Sequence, residues 1–320
     1  VTSTPLLPDL GIMLPLGGGL DAATILSLAT EADRAGVAAL AAGEHASTEL
    51  FALLGAIAAR TDQIRLETAI VSTVSRSASL VAMAALTLDA LAPGRFSLGL
   101  GAGSPMVAAW HGQSFDHPVA RMRSFLTALR TGLAGDRIDA LGSFRALTRT
   151  APDLAIRIAA LGPRMLDLAA TRADGVLVNF AGGPQIAQIA STTPAVHVLR
   201  WTALGVAEDV ARRTFALEVA PYLAVPAYAA AAAEIAGPDA IVAAGQAWRD
   251  GGRRAAAAAV PDALADELLV TGDASSLAAH AATLAAHGAD AVRFLPLTTD
   301  PTHPTDLRTL IHALAHLALP

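Results

Sequence analysis

The feature that most limits the fold of this chain is a unit that keeps recurring along it. Each copy is a short apolar run, a Gly-rich or polar turn, an amphipathic helix, and then Gly or Asp before the next run. The runs are 10–15, 37–45, 64–73, 95–103, 155–161, 175–180, 195–201 and 290–297. They are continuously apolar rather than alternating, which suits parallel strands buried on both faces. Strands alternating with helices leave a doubly wound sheet or a closed barrel. Eight units without a Pro/Ser linker favour the barrel. The predicted fold is therefore α/β, a (β/α)8 TIM barrel forming a single domain over residues 1–320. A helical excursion, about 205–265, lies between strands 7 and 8; a separate helical subdomain is the alternative reading of that interval. Local signals agree: Asp21 caps a helix that Gly36 ends, and Pro163 suits the first position of another.

Composition removes whole classes of chemistry. The 320 residues are 53% hydrophobic, with a formal net charge of −6. A nucleic-acid binder would show a basic face, so none is expected as a partner. There is no cysteine, which excludes thiolate nucleophiles, Fe–S clusters and disulfides. Every basic residue other than histidine is arginine, so Schiff-base and P-loop lysine chemistry are also excluded. The apolar runs are broken well before ~20 residues, and the N-terminus lacks a signal-peptide pattern. A cytoplasmic protein with no membrane association is the expectation.

In a barrel the chemistry belongs at the C-terminal strand ends. Gly99, Gly101 and Gly103 make a G-x-G-x-G pattern, but Ser104 follows and the pattern sits on the fourth strand. It is not a dinucleotide fingerprint. The glycines serve either close packing inside the barrel or a flat ring laid against the strand. Glu44 and His45 end the second strand; His45 serves either as a structural hydrogen-bonding group or in proton transfer, histidine being the one side chain that titrates near neutrality unaided, and Glu44 would tune it or bind a ring group. The stretch 67–76 ends in hydroxyl residues and Arg76. Leu161, Gly162, Pro163 and Arg164 open one helix, and Asn179, Gly182 and Gly183 precede another. Both are patterns that leave backbone N–H groups for an anion, or that simply make tight turns. His111, Asp116 and His117 match no helical metal-ligand spacing, so no metal site is expected.

Several stretches taken together resemble the luciferase-like monooxygenase superfamily, especially its branch using the deazaflavin coenzyme F420. They are EADRAGVAALAAGEH, IRLETAIVSTVSRSASLVAMAALTLDALAPGRFSLGLGAGS, WHGQSFDHPVARMRSFLTALR and AALGPRMLDLAATRADGVLVNF, within about residues 10–190. The resemblance implies coenzyme F420 as cofactor, with FMN the alternative. It implies an oxidoreductase passing a hydride between the deazaflavin and a small organic substrate. The alternatives are a two-component monooxygenase using reduced FMN, and a non-catalytic flavin- or deazaflavin-binding accessory protein. The implied partners are a second copy in a homodimer and a flavin or F420 reductase. His45 would lie at the ring, with Glu44 beside it. Ala69, Ile70, Val71 and Ser72 would back the ring through a non-prolyl cis bulge. Gly101, Ala102, Gly103 and Ser104 would flank it, the glycines making room. Leu161–Arg164 with Asn179 and Gly182–Gly183 would hold a phosphate. Ser104 stands where some sugar-phosphate dehydrogenases of this branch place a catalytic Glu, which argues against sugar-phosphate oxidation.

Overall fold

The computed structural model describes residues 7–17, 19–44, 46–298 and 304–318. Among them, ten strands join in one parallel sheet: β1 (Asp9–Met13), β2 (Ala39–Ala42), β3 (Arg65–Thr68), β4 (Val71–Ser72), β5 (Phe96–Gly101), β6 (Ile156–Ala159), β7 (Gly175–Val178), β8 (Val196–Leu204), β9 (Leu269–Gly272) and β10 (Ala291–Pro296). β10 pairs with β1 on one side and β8 on the other, so the sheet closes on itself. β3 and β4 are one stave with a break in it, and β9 lies outside the circuit. Eight staves remain, and the barrel is the one expected.

The helices pack outside this circuit for reasons visible in the chain. Asp21 accepts from the Thr24 N–H at 2.7 Å and starts the helix Ala22–Arg34. That helix buries Ile25, Leu28, Ala29 and Ala32 on one face, and Gly36 follows its end with φ +80°. The interval after β8 holds the helices Glu208–Leu223, Pro226–Ala236, Pro238–Ala258 and Asp262–Leu268. Their apolar faces form a second core with Phe180, Trp201 and Leu297, separate from the core between the barrel and its outer helices. One element was not anticipated. β9 pairs with the upper half of β8, from Trp201–Leu269 to Leu204–Gly272. It follows its helix without a Gly or Pro break, so no punctuation marks it in the sequence. No helix among the described residues is long and apolar enough to cross a membrane.

The lower part of the barrel interior is charged. Arg293 on β10 grips Glu67 on β3 with two bonds, Nε to Oε2 at 2.8 Å and Nη2 to Oε1 at 2.7 Å. The same guanidinium donates to the Asp9 carboxylate at 2.7 Å and to the Asp9 carbonyl at 2.9 Å. Arg65 also pairs with Asp9. Arg157 on β6 donates to Ser97 on β5 at 2.9 Å, and His197 on β8 is buried among these groups. Burial, with the Arg157 charge next, pushes the His197 imidazole down to about 3. His280 is pushed down to about 4 by burial and then by Arg200, whose Nε donates to His280 Nε2 at 3.3 Å.

These two histidines set a pH dependence. Each stays neutral in the folded chain well below the ordinary value of 6.5, whereas the unfolded chain takes up protons near that value. The unfolded state therefore binds more protons between pH 6 and pH 5, and stability falls as pH falls. The expected slope is about 1.4 kcal/mol per pH unit for each histidine. Urea unfolding at pH 7, 6 and 5 reads it. His280→Gln keeps an acceptor for Arg200 and should remove roughly half of the slope.

Candidate active site at the strand tops

The rim over β2 to β5 is stitched by short-range bonds. The Glu44 N–H donates to the Ile70 carbonyl at 2.9 Å, and the Thr73 N–H donates to the Gly101 carbonyl at 2.9 Å. Between β3 and β4 the Ala69–Ile70 peptide bond is cis, at the position the resemblance implied. The chain leaves the ladder there, and Gly99 of β5 loses its partners. Thr68 replaces them with one hydroxyl, which accepts from the Gly99 N–H at 2.8 Å and donates to the Gly99 carbonyl at 2.9 Å.

This break gives the β5 glycines the first of the two uses expected of them, close packing inside the barrel. A Cβ on Gly99 would overlap the Thr68 carbonyl, and one on Gly101 would overlap the Ile70 side chain. A Cβ on Gly103 would meet the Ser72 hydroxyl. The space in front of these glycines is filled by residues 68–74 of the chain itself, joined at Gly99 by the Leu177 side chain. They admit the neighbouring bulge. Ser104 has a local task as well: its hydroxyl caps the helix Pro105–Trp110, accepting from the Val107 N–H at 3.2 Å. Ala102 is half-buried beside it.

Glu44 is held from three directions. Its Oε2 accepts from the Ser72 N–H at 3.0 Å and from the Ser75 hydroxyl at 2.6 Å, and its Oε1 accepts from Arg76 Nε at 2.6 Å. Arg76 also pairs with Glu49, which caps the helix Leu50–Ala58, and lies over the Phe51 ring at 5.1 Å. Both Glu44 oxygens are thus committed to ordering residues 72–76, and Val71 and Ser72 are buried in that arrangement. His45, the next residue, lies outside the described residues. The Thr73 hydroxyl is buried at this rim without a partner among the described residues.

Two turns follow on the adjacent strand tops, and they differ. Gly162, Pro163 and Arg164 are exposed at the start of the helix Pro163–Arg172, and Leu161 is half-buried. Arg164 makes no hydrogen bond or ion pair among the described residues. At the second turn Asn179 accepts from the Phe180 N–H at 2.8 Å, and Gly182 and Gly183 are buried. Here the Gly183 N–H donates to Glu267 at 2.9 Å and the Gly182 N–H to Gln185 at 2.6 Å. Glu267 comes from the excursion and carried no motif in the sequence. The same is true of Tyr222 and Tyr228, which stack edge-on at 4.9 Å over Phe180. Burial raises the Tyr222 phenol to about 12.

With this geometry in view, comparison with known proteins places the chain. A family model described as luciferase-like monooxygenase matches residues 8–291, and the chain belongs to that family. A provisionally named coenzyme F420-dependent oxidoreductase of Mycobacterium tuberculosis is 30% identical over 191 residues, 53% of this chain and 55% of that one. The chain thus matches only about half the length of that curated relative. Among solved structures, the coenzyme F420-dependent tetrahydromethanopterin reductase of Methanopyrus kandleri superposes with a TM-score of 0.77 at 18% identity, covering 97% of this chain and 98% of that one. The oxygenating constituent of 3,6-diketocamphane monooxygenase from Pseudomonas putida, solved with FMN, gives 0.68 at 14% identity, covering 97% of each chain. At such identities the two structures support the fold.

The rim makes two stability predictions. Thr68→Val orphans both Gly99 backbone groups and should cost about 1–3 kcal/mol in chemical denaturation. Arg76→Ala removes the charged partner of a Glu44 side chain that is only 15% exposed. It should cost about 1.5–3 kcal/mol and raise amide hydrogen exchange at residues 72–76.

Proposed function

We propose that this chain is a coenzyme F420-dependent oxidoreductase acting on a small organic substrate. The observation that carries the reading is a wall and an anchor on strand tops separated only by β5. The wall is the Glu44-tied segment 69–73, and the anchor is the exposed Gly162–Arg164 turn on β6. The names of the relatives point to the same cofactor. The anchor fits an anionic tail, because the first N–H groups of the helix Pro163–Arg172 have no side-chain cap and Arg164 stands in its first turn.

Each residue then has a distinct task. Glu44 and Arg76 hold the wall rigid. Gly162 and Arg164 bind the tail. His45, next to Glu44 in the chain, holds or moves a proton on the substrate side. When bound, the coenzyme supplies the hydride chemistry.

Fluorescence titration with F420 and with FMN tests the reading. Tight F420 binding with weak FMN binding is expected. The reverse order supports an FMN-dependent monooxygenase served by a separate reductase, and binding of neither supports an accessory role. His45→Ala should lower turnover on the order of a hundredfold while changing cofactor affinity less than about threefold.

The same proposal includes a homodimer. Leu80, Met83 and Leu91 are exposed along the helix Ala78–Leu91 and give it an apolar outer face. Light scattering should report two copies, and Leu80→Glu with Met83→Glu should yield a folded monomer.

A further inference from the structure

Two consecutive strand tops in this barrel begin their helices with a glycine N-cap and an adjoining Gly-Pro, Gly162–Pro163 in one and Gly183–Pro184 in the other, and only the second has a side chain, Gln185, reaching back to its N-cap N–H. One is open and the other is shut. The Gly162–Pro163 turn is exposed, whereas Gly182 and Gly183 are both buried. A carboxylate already sits on the second turn: Glu267 Oε1 accepts from the Gly183 N–H at 2.9 Å. A Cβ on Gly182 would lie 3.3 Å from that same oxygen, and a Cβ on Gly183 would meet the His287 ring. Arg200, fully buried, donates to the Ala181 carbonyl at 2.7 Å in the same turn. Burial lowers the Arg200 guanidinium, and the Glu267 charge partly offsets that. The negative charge that this turn can accept is thus supplied from within, by the last helix of the excursion.

We propose that Glu267 is a specificity residue: it bars the anionic tail of the cofactor from the Gly182–Gly183 turn and leaves Gly162–Arg164 as the one anchor. The physical reason is occupancy and charge together. A phosphate entering the second turn would have to displace a hydrogen-bonded carboxylate, and until it did so it would meet that carboxylate's charge at close range. The consequence is a choice among tails. A tail must reach its anchor over β6, and one whose phosphate can only fall over β7 is refused. This inference rests on the reading that the cofactor carries a phosphate-bearing tail.

The test uses inorganic phosphate as the probe, titrated by calorimetry into the full chain. Arg164→Ala should weaken phosphate at least about fivefold. Glu267→Ala, which frees the Gly183 N–H and removes the charge, should strengthen phosphate at least about threefold. Glu267→Gln keeps an acceptor for Gly183 without the charge and should also bind phosphate more tightly than the wild type; it carries the test if Glu267→Ala does not fold. In the double variant Arg164→Ala/Glu267→Ala the phosphate lost with Arg164 should return, because the second turn is then open. Unchanged phosphate affinity in the folded Glu267 variants would overturn the proposal, as would a double variant no better than Arg164→Ala. Failure of the cofactor reading looks different: the wild type would not bind F420, whatever the phosphate titrations gave.

Discussion

Arg293 and Glu67 are joined through the inside of the barrel, not along the sheet. β10 and β3 are separated by β1 and β2, so their two-bond grip spans an arc of three strand spacings. Burial alone would push the Glu67 carboxyl up; the Arg293 guanidinium outweighs that and holds it well below the usual carboxylate range. A pair this buried contributes little over an apolar replacement, but losing either partner strands a charge. Its value lies in specification. It fixes which strands face one another across the lumen, and Gly11 on β1 leaves room for the Arg293 stem. The upper rim, which carries the candidate site, is built on that lower layer.

Above this layer the site is made by a departure from regularity. β3 breaks, its chain leans toward β5, and Thr68 repairs the ladder with a single hydroxyl. Glu44 then gathers Ser72, Ser75 and Arg76 around one carboxylate. A regular strand at 65–72 would keep its ladder with β5 unbroken. The irregular one gives a rigid ledge between β2 and β5, next to the exposed turn over β6.

How much of this was legible depended on the kind of signal. The eight staves were readable because continuous apolar runs between capped helices have few alternative folds. Gly36 and Asp21 announced their helix ends by backbone preference. The break in β3 came from family resemblance, since nothing in ETAIVST itself marks a change of backbone. The β5 glycines were legible as a close approach, but what approaches them was not: the Thr68 carbonyl and the Ile70 side chain come from 31 residues earlier. Glu267 was invisible because its role depends on folding 84 residues of separation onto one N–H group. Tyr222 and Tyr228 lay in an Ala-rich interval where helical pattern outweighed every other cue.

The length of β8 has a consequence for how such chains can diversify. Its lower half belongs to the closed circuit with β7, while its upper half carries β9. The segment from Leu204 to Leu269 therefore departs from and returns to one strand, like a loop tied off at its base. Lengthening a loop whose ends are already pinned costs little chain entropy, rising only with the logarithm of its size. Helices in that segment can be gained, lost or reshaped while the circuit beneath keeps its register.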